Sequence, residues 1–307
     1  MYDIIIVGAG TAGLTAAIYG RRAGKSVVIY ESESYGGQII NTPEIENYPG
    51  IKNVSGYKFA TDLYEQVIAL GTEFVYDKIV KIEGSFKEGF VLTTEFGKTC
   101  EGKTIILACG AKNRKLGLPM EEKLLGRGIS YCATCDGAFF KGKNVAVNGG
   151  GNTALEDAIY LAGLCNKVYL VHRRDAFRGE QALVDIVRQT ANIELVLNST
   201  VSELKGEKKL EAITVKNTQT SGEQDISVDA LFVAIGQVPS NEPFTELVNV
   251  DPAGYIVAGE DCKTNVEGIF AAGDGRTKTL RQLTTAASDG AVAAVACCDL
   301  ILHSNLS

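Results

Sequence analysis

The sequence predicts an α/β protein built on two copies of one strand, glycine turn, helix, strand unit. Three observations carry that prediction. Gly8-Ala9-Gly10-Thr11-Ala12-Gly13 and Gly149-Gly150-Gly151-Asn152-Thr153-Ala154 each follow a short β-branched run and precede a helical stretch. In both copies a second strand ends 23 residues after the first glycine, at Glu31 and at His172. Each copy then passes through an alternating stretch to another apolar strand, at residues 104–111 and 230–236. Self-similarity at this spacing marks a duplicated βαβ unit.

In the first copy, residues 3–8 read as a buried parallel strand, residues 14–19 as a helix ended by Gly24, and residues 26–30 as the second strand. Glycines at 8, 10 and 13 let the backbone approach a pyrophosphate, which rests on the helix N-terminus. Glu31 is placed to accept hydrogen bonds from an adenosine ribose. A ligand-free glycine turn is the alternative. Residues 36–38 and 46–50 read as loops. Residues 54–70 carry helical periodicity, residues 73–101 read as a β-meander, and Cys109 reads as a small core residue in the strand that follows.

The second copy has strands at residues 144–147 and 167–171 around a helix at 155–164. Where the first copy has Glu31, this one has His172-Arg173-Arg174, with Arg178 four residues on. A carboxylate repels a 2′-phosphate, whereas arginines grip one. The first unit is therefore suited to FAD or NAD and the second to NADPH; a solvated basic turn is the alternative. A third short strand ends at Asp274, and residues 284–302 form a helix in which Ala286, Gly290, Ala293 and Ala294 permit close packing. Adjacent Cys297 and Cys298 read as packing residues of that helix, because a bond between neighbours is strained.

Composition bounds the function. The 307 residues suggest two domains, and the net charge of −7 argues against a general nucleic-acid or membrane-surface binder. Asp3 and Gly8 interrupt the N-terminal apolar run, so no secretory signal is expected, and no run approaches the ~18 apolar residues of a bilayer span. Eight cysteines without a secretion signal imply a reducing, cytoplasmic compartment, where a disulfide would be catalytic.

Cys132-Ala133-Thr134-Cys135, followed by Asp136 and Gly137, is the stretch able to do chemistry. A C-x-x-C pair can be half a zinc site, an inert pair, or a reversible disulfide with one activated thiolate. Zinc needs four ligands, usually as two spaced pairs. None of Cys100, Cys109, Cys165, Cys262, Cys297 and Cys298 makes a second C-x-x-C, and the histidines are His172 and His303 alone. That favours a redox dithiol and no metal. Asp136 is a candidate acid–base group if burial raises its pKa, or else a helix N-cap.

These motifs occur together, and in order, in a known family. With Gly36-Gly37-Gln38, Glu46-Asn47-Tyr48-Pro49-Gly50, His172-Arg173-Arg174-Asp175-Ala176-Phe177-Arg178, Phe270-Ala271-Ala272-Gly273-Asp274 and Arg281-Gln282, the chain resembles the low-molecular-weight NADPH-dependent thioredoxin reductases. Thr11 departs from the family's usual proline, and residues 275–280 replace a stretch that commonly carries an acid and a tyrosine.

The resemblance implies two Rossmann-like dinucleotide-binding domains, the second inserted into the first: an FAD domain of residues 1–112 and 240–307, and an NADPH domain of 113–239 carrying the C-x-x-C. It implies FAD contacts from Gly8, Gly10, Thr11, Ala12, Gly13, Glu31, Gly37, Gln38, Asn47, Ala111, Gly273, Asp274, Arg281, Gln282 and Leu283. NADPH contacts are implied for Gly151, Asn152, Thr153, Ala154, His172, Arg173, Arg174, Arg178, Ile235 and Gly236. In that scheme NADPH reduces FAD, which reduces the Cys132–Cys135 disulfide. Cys135 faces the flavin, Cys132 attacks thioredoxin, and the enzyme is a homodimer that alternates between two domain orientations. Rival readings keep the dithiol but change the acceptor to a glutaredoxin-like protein or a peroxidase component, or take electrons from ferredoxin, or pass them to oxygen, or make the chain a redox sensor.

Overall fold

The structure is a computed structural model that describes residues 1–304, with the backbone alone described at Asn41. It is α/β, as the repeat predicts. In chain order the first segment holds β1 (Tyr2–Val7), α1 (Thr11–Arg22), β2 (Val27–Glu31), α2 (Gly56–Ala69), β3 (Glu73–Tyr76), β4 (Ile79–Ser85), β5 (Gly89–Thr94), β6 (Thr99–Leu107) and β7 (Ala111–Asn113). The middle holds α3 (Glu121–Leu124), β8 (Ile129–Ser130), α4 (Ala133–Asp136), β9 (Asn144–Gly149), α5 (Asn152–Ala162), β10 (Lys167–Val171), α6 (Gln181–Gln189), β11 (Ile193–Val196), β12 (Ser199–Lys205), β13 (Ala212–Asn217), β14 (Glu223–Ser227) and β15 (Ala230–Ala234). The chain returns through β16 (Gln237–Pro239) to β17 (Ile269–Ala271) and α7 (Leu283–Ser304). Two compact units result, Met1–Lys112 with Val238–Ser307, and Asn113–Gln237. The two connecting strands β7 and β16 pair with each other.

The first unit is organised by a parallel sheet, β3-β2-β1-β6, with β17 on the far side of β6. Ile4, Ile5 and Ile6 are fully buried in β1, as a strand covered on both faces requires. The start of β6 also pairs antiparallel with β5, and β5 with β4. The meander expected at residues 73–101 is therefore divided. Glu73–Tyr76 joins the parallel sheet beside β2 instead, because its partner is the strand at residues 27–31. The strand expected at 104–111 starts earlier and ends at Leu107. Gly110, at φ +68°, then turns the chain out of the sheet.

Helix α7 lies against α1. Ala12, Ala16 and Ala17 of one and Ala286, Ala293, Ala294, Cys297 and Ile301 of the other share one buried core. At Gly290 a Cβ would stand 2.2 Å from the Ala12 carbonyl oxygen, so the two backbones touch there. Contrary to the sequence expectation, α7 is long and apolar enough by length and composition to cross a bilayer. Its alanines and cysteines raise its apolarity without a bulky run, and they serve here as a packing face.

The second unit repeats the pattern as a parallel sheet, β11-β10-β9-β15-β8, beside the antiparallel β12-β13-β14. Val145, Val147, Ala154, Leu155, Ala158 and Phe232 fill the core between α5 and the sheet.

Candidate active site

Ser130, the last residue of β8, leads directly into the C-x-x-C. Cys132 and Cys135 are joined by a disulfide, with Cys132 as N-cap of the one-turn helix α4. The Cys135 amide donates to Cys132 Sγ at 3.2 Å. Both cysteines are partly exposed, whereas Ala133 between them is buried.

Asp136 is the last residue of α4, so it does not cap that helix, and it stands at the N-cap position of the 3-10 turn after it. Its side chain makes no capping bond to that turn. Instead Ser130 Oγ donates to Asp136 Oδ2 at 2.6 Å. The same hydroxyl accepts from the Cys132 amide at 3.0 Å. Burial pushes the Asp136 carboxyl up, and the Ser130 bond opposes it without cancelling it. Ser130, 3% exposed, thus ties the acid to the dithiol backbone. Sequence reasoning missed it, because a serine at a strand end carries no distinguishing pattern.

In the first unit the glycine turn closes on itself. Gly8 adopts φ +105°, where a Cβ would stand 2.3 Å from the Ala108 oxygen. At Gly13 a Cβ would stand 1.9 Å from the Gly8 oxygen, whereas above Gly10 there is open space. Thr11 and Ala12 begin α1 and are buried. Glu31, at the end of β2, accepts the Ala9 amide at 2.7 Å and the Glu33 amide at 2.8 Å, which leaves carboxylate lone pairs for a further donor.

Other expected residues gather in the same unit. Gly36 bridges to Gly10, which brings Gly37 beside the turn. Gln38 Nε2 donates to the Ala111 carbonyl. Asn47 Nδ2 donates to Gln282 Oε1 at 3.1 Å, next to Leu283 at the start of α7. Arg281 lies over the Tyr255 ring at 4.2 Å and donates from Nε to the Asp274 carbonyl at 3.3 Å. Gly273 leads β17 into Asp274, whose buried Oδ1 has no hydrogen-bond partner among the described residues. Burial pushes the Asp274 carboxyl up, while Lys278 and Arg281 pull it down. A buried carboxylate oxygen left without a donor is costly unless a ligand supplies one.

In the second unit, Asn152 Oδ1 accepts the Glu180 amide at 2.8 Å, and Gly150 accepts the Arg178 amide at 2.8 Å. The loop after β10 is thereby fastened to the glycine turn. Space is open above Gly151 and Gly236; Thr153 is exposed and Ala154 buried. Ile235 leads from β15 to Gly236, whose carbonyl accepts the Arg114 amide at 3.0 Å.

Arg173, Arg174 and Arg178 are exposed, with no ion pair among the described residues. His172 differs from them. It is 4% exposed, its Nε2 lies 3.1 Å from the Ala176 carbonyl, and its ring packs against Gly150 and Phe177. Burial, then the neighbouring arginines, push its pKa down despite the Ala176 bond. It is a neutral residue shaping the turn and adds no charge to the arginine set.

The family model described as pyridine nucleotide-disulphide oxidoreductase matches residues 2–290. The chain is 41% identical over 294 residues to the thioredoxin reductase of Mycoplasma genitalium, covering 95% of this chain and 93% of that one. It is 41% identical over 295 residues to the thioredoxin reductase of Bacillus subtilis, covering 96% and 93%. The crystal structure of thioredoxin reductase from Streptococcus pyogenes matches with a TM-score of 0.94 at 40% identity, covering 99% of each chain. The chain belongs to the pyridine nucleotide-disulphide oxidoreductases and, within them, to the thioredoxin reductase family. It is an oxidoreductase.

Proposed function

We propose that the protein is an NADPH-dependent thioredoxin-disulfide reductase. The observation that carries this is the Cys132–Cys135 disulfide with Asp136 held beside it through Ser130. The first unit is assigned to FAD and the second to NADPH. Bound FAD would accept a hydride from NADPH and pass two electrons to the disulfide, opening it to a dithiol with uptake of two protons.

The residues present suit both groups. The Gly8–Gly13 turn and the orphaned Asp274 oxygen favour a flavin dinucleotide in the first unit. Gly10, Thr11, Ala12 and Gly13 are assigned to its pyrophosphate and Glu31 to its ribose. Gly37, Gln38, Asn47, Ala111, Gly273, Asp274, Arg281, Gln282 and Leu283 are assigned to the rest. In the second unit Gly151, Asn152, Thr153 and Ala154 take the pyrophosphate of NADPH, and Ile235 and Gly236 line its path. Arg173, Arg174 and Arg178 grip the 2′-phosphate, with His172 setting the turn that presents them.

Cys132 is assigned the attack on the thioredoxin disulfide and Cys135 the exchange with the flavin. The Cys135 amide donates to Cys132 Sγ, so a donor is already aimed at the sulfur assigned the attack. Asp136, with its raised pKa, delivers and removes the proton. We place the enzyme in the reducing cytoplasm as a homodimer, the commonest soluble oligomer.

The test is anaerobic addition of NADPH to the purified yellow protein, with NADH as control. Fast bleaching by NADPH, slow bleaching by NADH, and recovery on adding oxidised thioredoxin are expected. Bleaching without recovery would redirect the acceptor, and no bleaching by NADPH would overturn the arginine assignment.

A further inference from the structure

A buried charge cluster in the first unit joins Arg276 and Lys278, from the stretch 275–280 that departs from the family pattern, to Asp289 of α7. Arg276, Lys278 and Asp289 have side chains only 2%, 5% and 6% exposed. Asp289 accepts Arg276 Nε at 2.9 Å, Arg276 Nη2 at 2.8 Å and Lys278 Nζ at 2.8 Å. It also accepts the Gly273 amide at 2.9 Å. Arg276 Nη1 is spent on the carbonyls of Ala258 and Thr277, at 3.2 and 3.0 Å. Glu260 comes within 3.5 Å of Arg276 but is 95% exposed, so water screens it.

Two buried cations thus share one buried carboxylate. Adding half-buried Asp274 and Arg281 leaves three cations against two carboxylates. A surplus charge in a dry site is expensive unless something negative faces it. Through Gly273 the cluster is fastened to the very turn that carries the orphaned Asp274 oxygen. A group that binds at Asp274 and gains negative charge in turnover would supply the missing partner. On the reading that FAD binds there, its pyrophosphate would already meet part of this charge, and hydride transfer from NADPH, which leaves NADP⁺ and adds two electrons and one proton to the flavin, would add one further negative unit.

We infer that the Arg276–Asp289–Lys278 cluster sets the flavin reduction potential, with Lys278 as the positioning residue that supplies the surplus charge. Arg276 and Asp289 neutralise each other and hold the turn. Lys278 is the member whose removal changes charge while leaving the Arg276–Asp289 pair intact. The inference rests on the FAD assignment above.

The test uses the FAD-loaded protein with Cys132 and Cys135 both replaced by alanine, so that only flavin takes electrons. The NADPH:NADP⁺ ratio that half-bleaches the flavin is measured for Lys278 and for Lys278→Met and Lys278→Arg. The Met variant is expected to need about a tenfold higher ratio, the order expected of a unit charge in a protein interior. For a two-electron couple that is about 30 mV. The Arg variant should stay within about twofold of the parent, which a purely structural role would not require. If the Met variant sheds FAD, Lys278→Gln, which keeps a hydrogen bond to Asp289, is titrated in its place. An unshifted midpoint with FAD bound overturns the inference and leaves the FAD assignment standing. A parent protein that binds no FAD overturns that assignment and the inference with it.

Discussion

Ser130 Oγ lies 2.6 Å from Asp136 Oδ2, and the same oxygen receives the Cys132 amide. One buried hydroxyl therefore sets where the acid stands relative to the first cysteine. The carboxyl is pushed up by burial, so the folded state favours its protonated form. A raised carboxyl pKa contributes stability that is full below the unfolded value and fades as pH rises through the folded one. Asp136→Asn keeps an acceptor for Ser130 and removes the charge. It should lower thioredoxin reduction by about 10²-fold, the low end for a general acid–base group. Thermal unfolding at pH 7 should occur at the same or a higher temperature. A lower unfolding temperature at pH 7 would mean that the carboxylate is a structural anion.

The roles assigned to the two sulfurs separate under substitution. Cys132→Ser should abolish disulfide reduction yet leave flavin bleaching by NADPH at its original rate, read in a stopped-flow spectrometer. Loss of bleaching would move Cys132 from the substrate side of the reaction to the flavin side.

The three exposed arginines predict the choice of donor. Charge-assisted hydrogen bonds are worth about 1.5–3 kcal/mol each. Replacing Arg173 and Arg174 together by alanine should lower kcat/KM for NADPH by at least about 10²-fold and leave NADH within a fewfold. Equal losses with both donors would show that the loop acts by holding the glycine turn. His172, already turned inward, should not contribute to the difference.

Close approach of α1 and α7 makes Gly290 sensitive to a single methyl. In Gly290→Ala the new Cβ would stand 2.2 Å from the Ala12 oxygen, so the helices must part. Overpacking of this kind costs about 1–3 kcal/mol. A lower denaturant midpoint is expected, and an unchanged one would mean that α7 shifts at no cost.

Much of this was legible in the sequence because glycine spacing and β-branched runs are local signals. The two βαβ units, the turn at Gly8 and the helix carrying Gly290 can all be read that way. Pairing between distant strands is not local, which is why residues 73–76 passed for a meander strand although they pair with Val28–Glu31. The site divides likewise. Cys132, Cys135 and Asp136 announce themselves by spacing, while Ser130 matters only through contacts. Asp289 did leave a trace. It is the only charged residue between Leu283 and Cys298, and a lone acid in an apolar helix asks for a buried cation.

The interrupted first unit has a consequence for synthesis. Strand β17 pairs Ile269 with Ile105 and Phe270 with Ile106, across the whole inserted unit. The segment Asn113–Gln237 is contiguous, so it can collapse as soon as it emerges from the ribosome. The sheet begun by the first 112 residues must wait, its β6 edge uncovered, until the last quarter of the chain arrives. During that interval β6 is an open strand edge beside hydrophobic surface, the kind that invites aggregation. The nascent protein is thus most vulnerable late in translation, and truncation near its 3′ coding end should be more damaging to solubility than loss of the inserted unit.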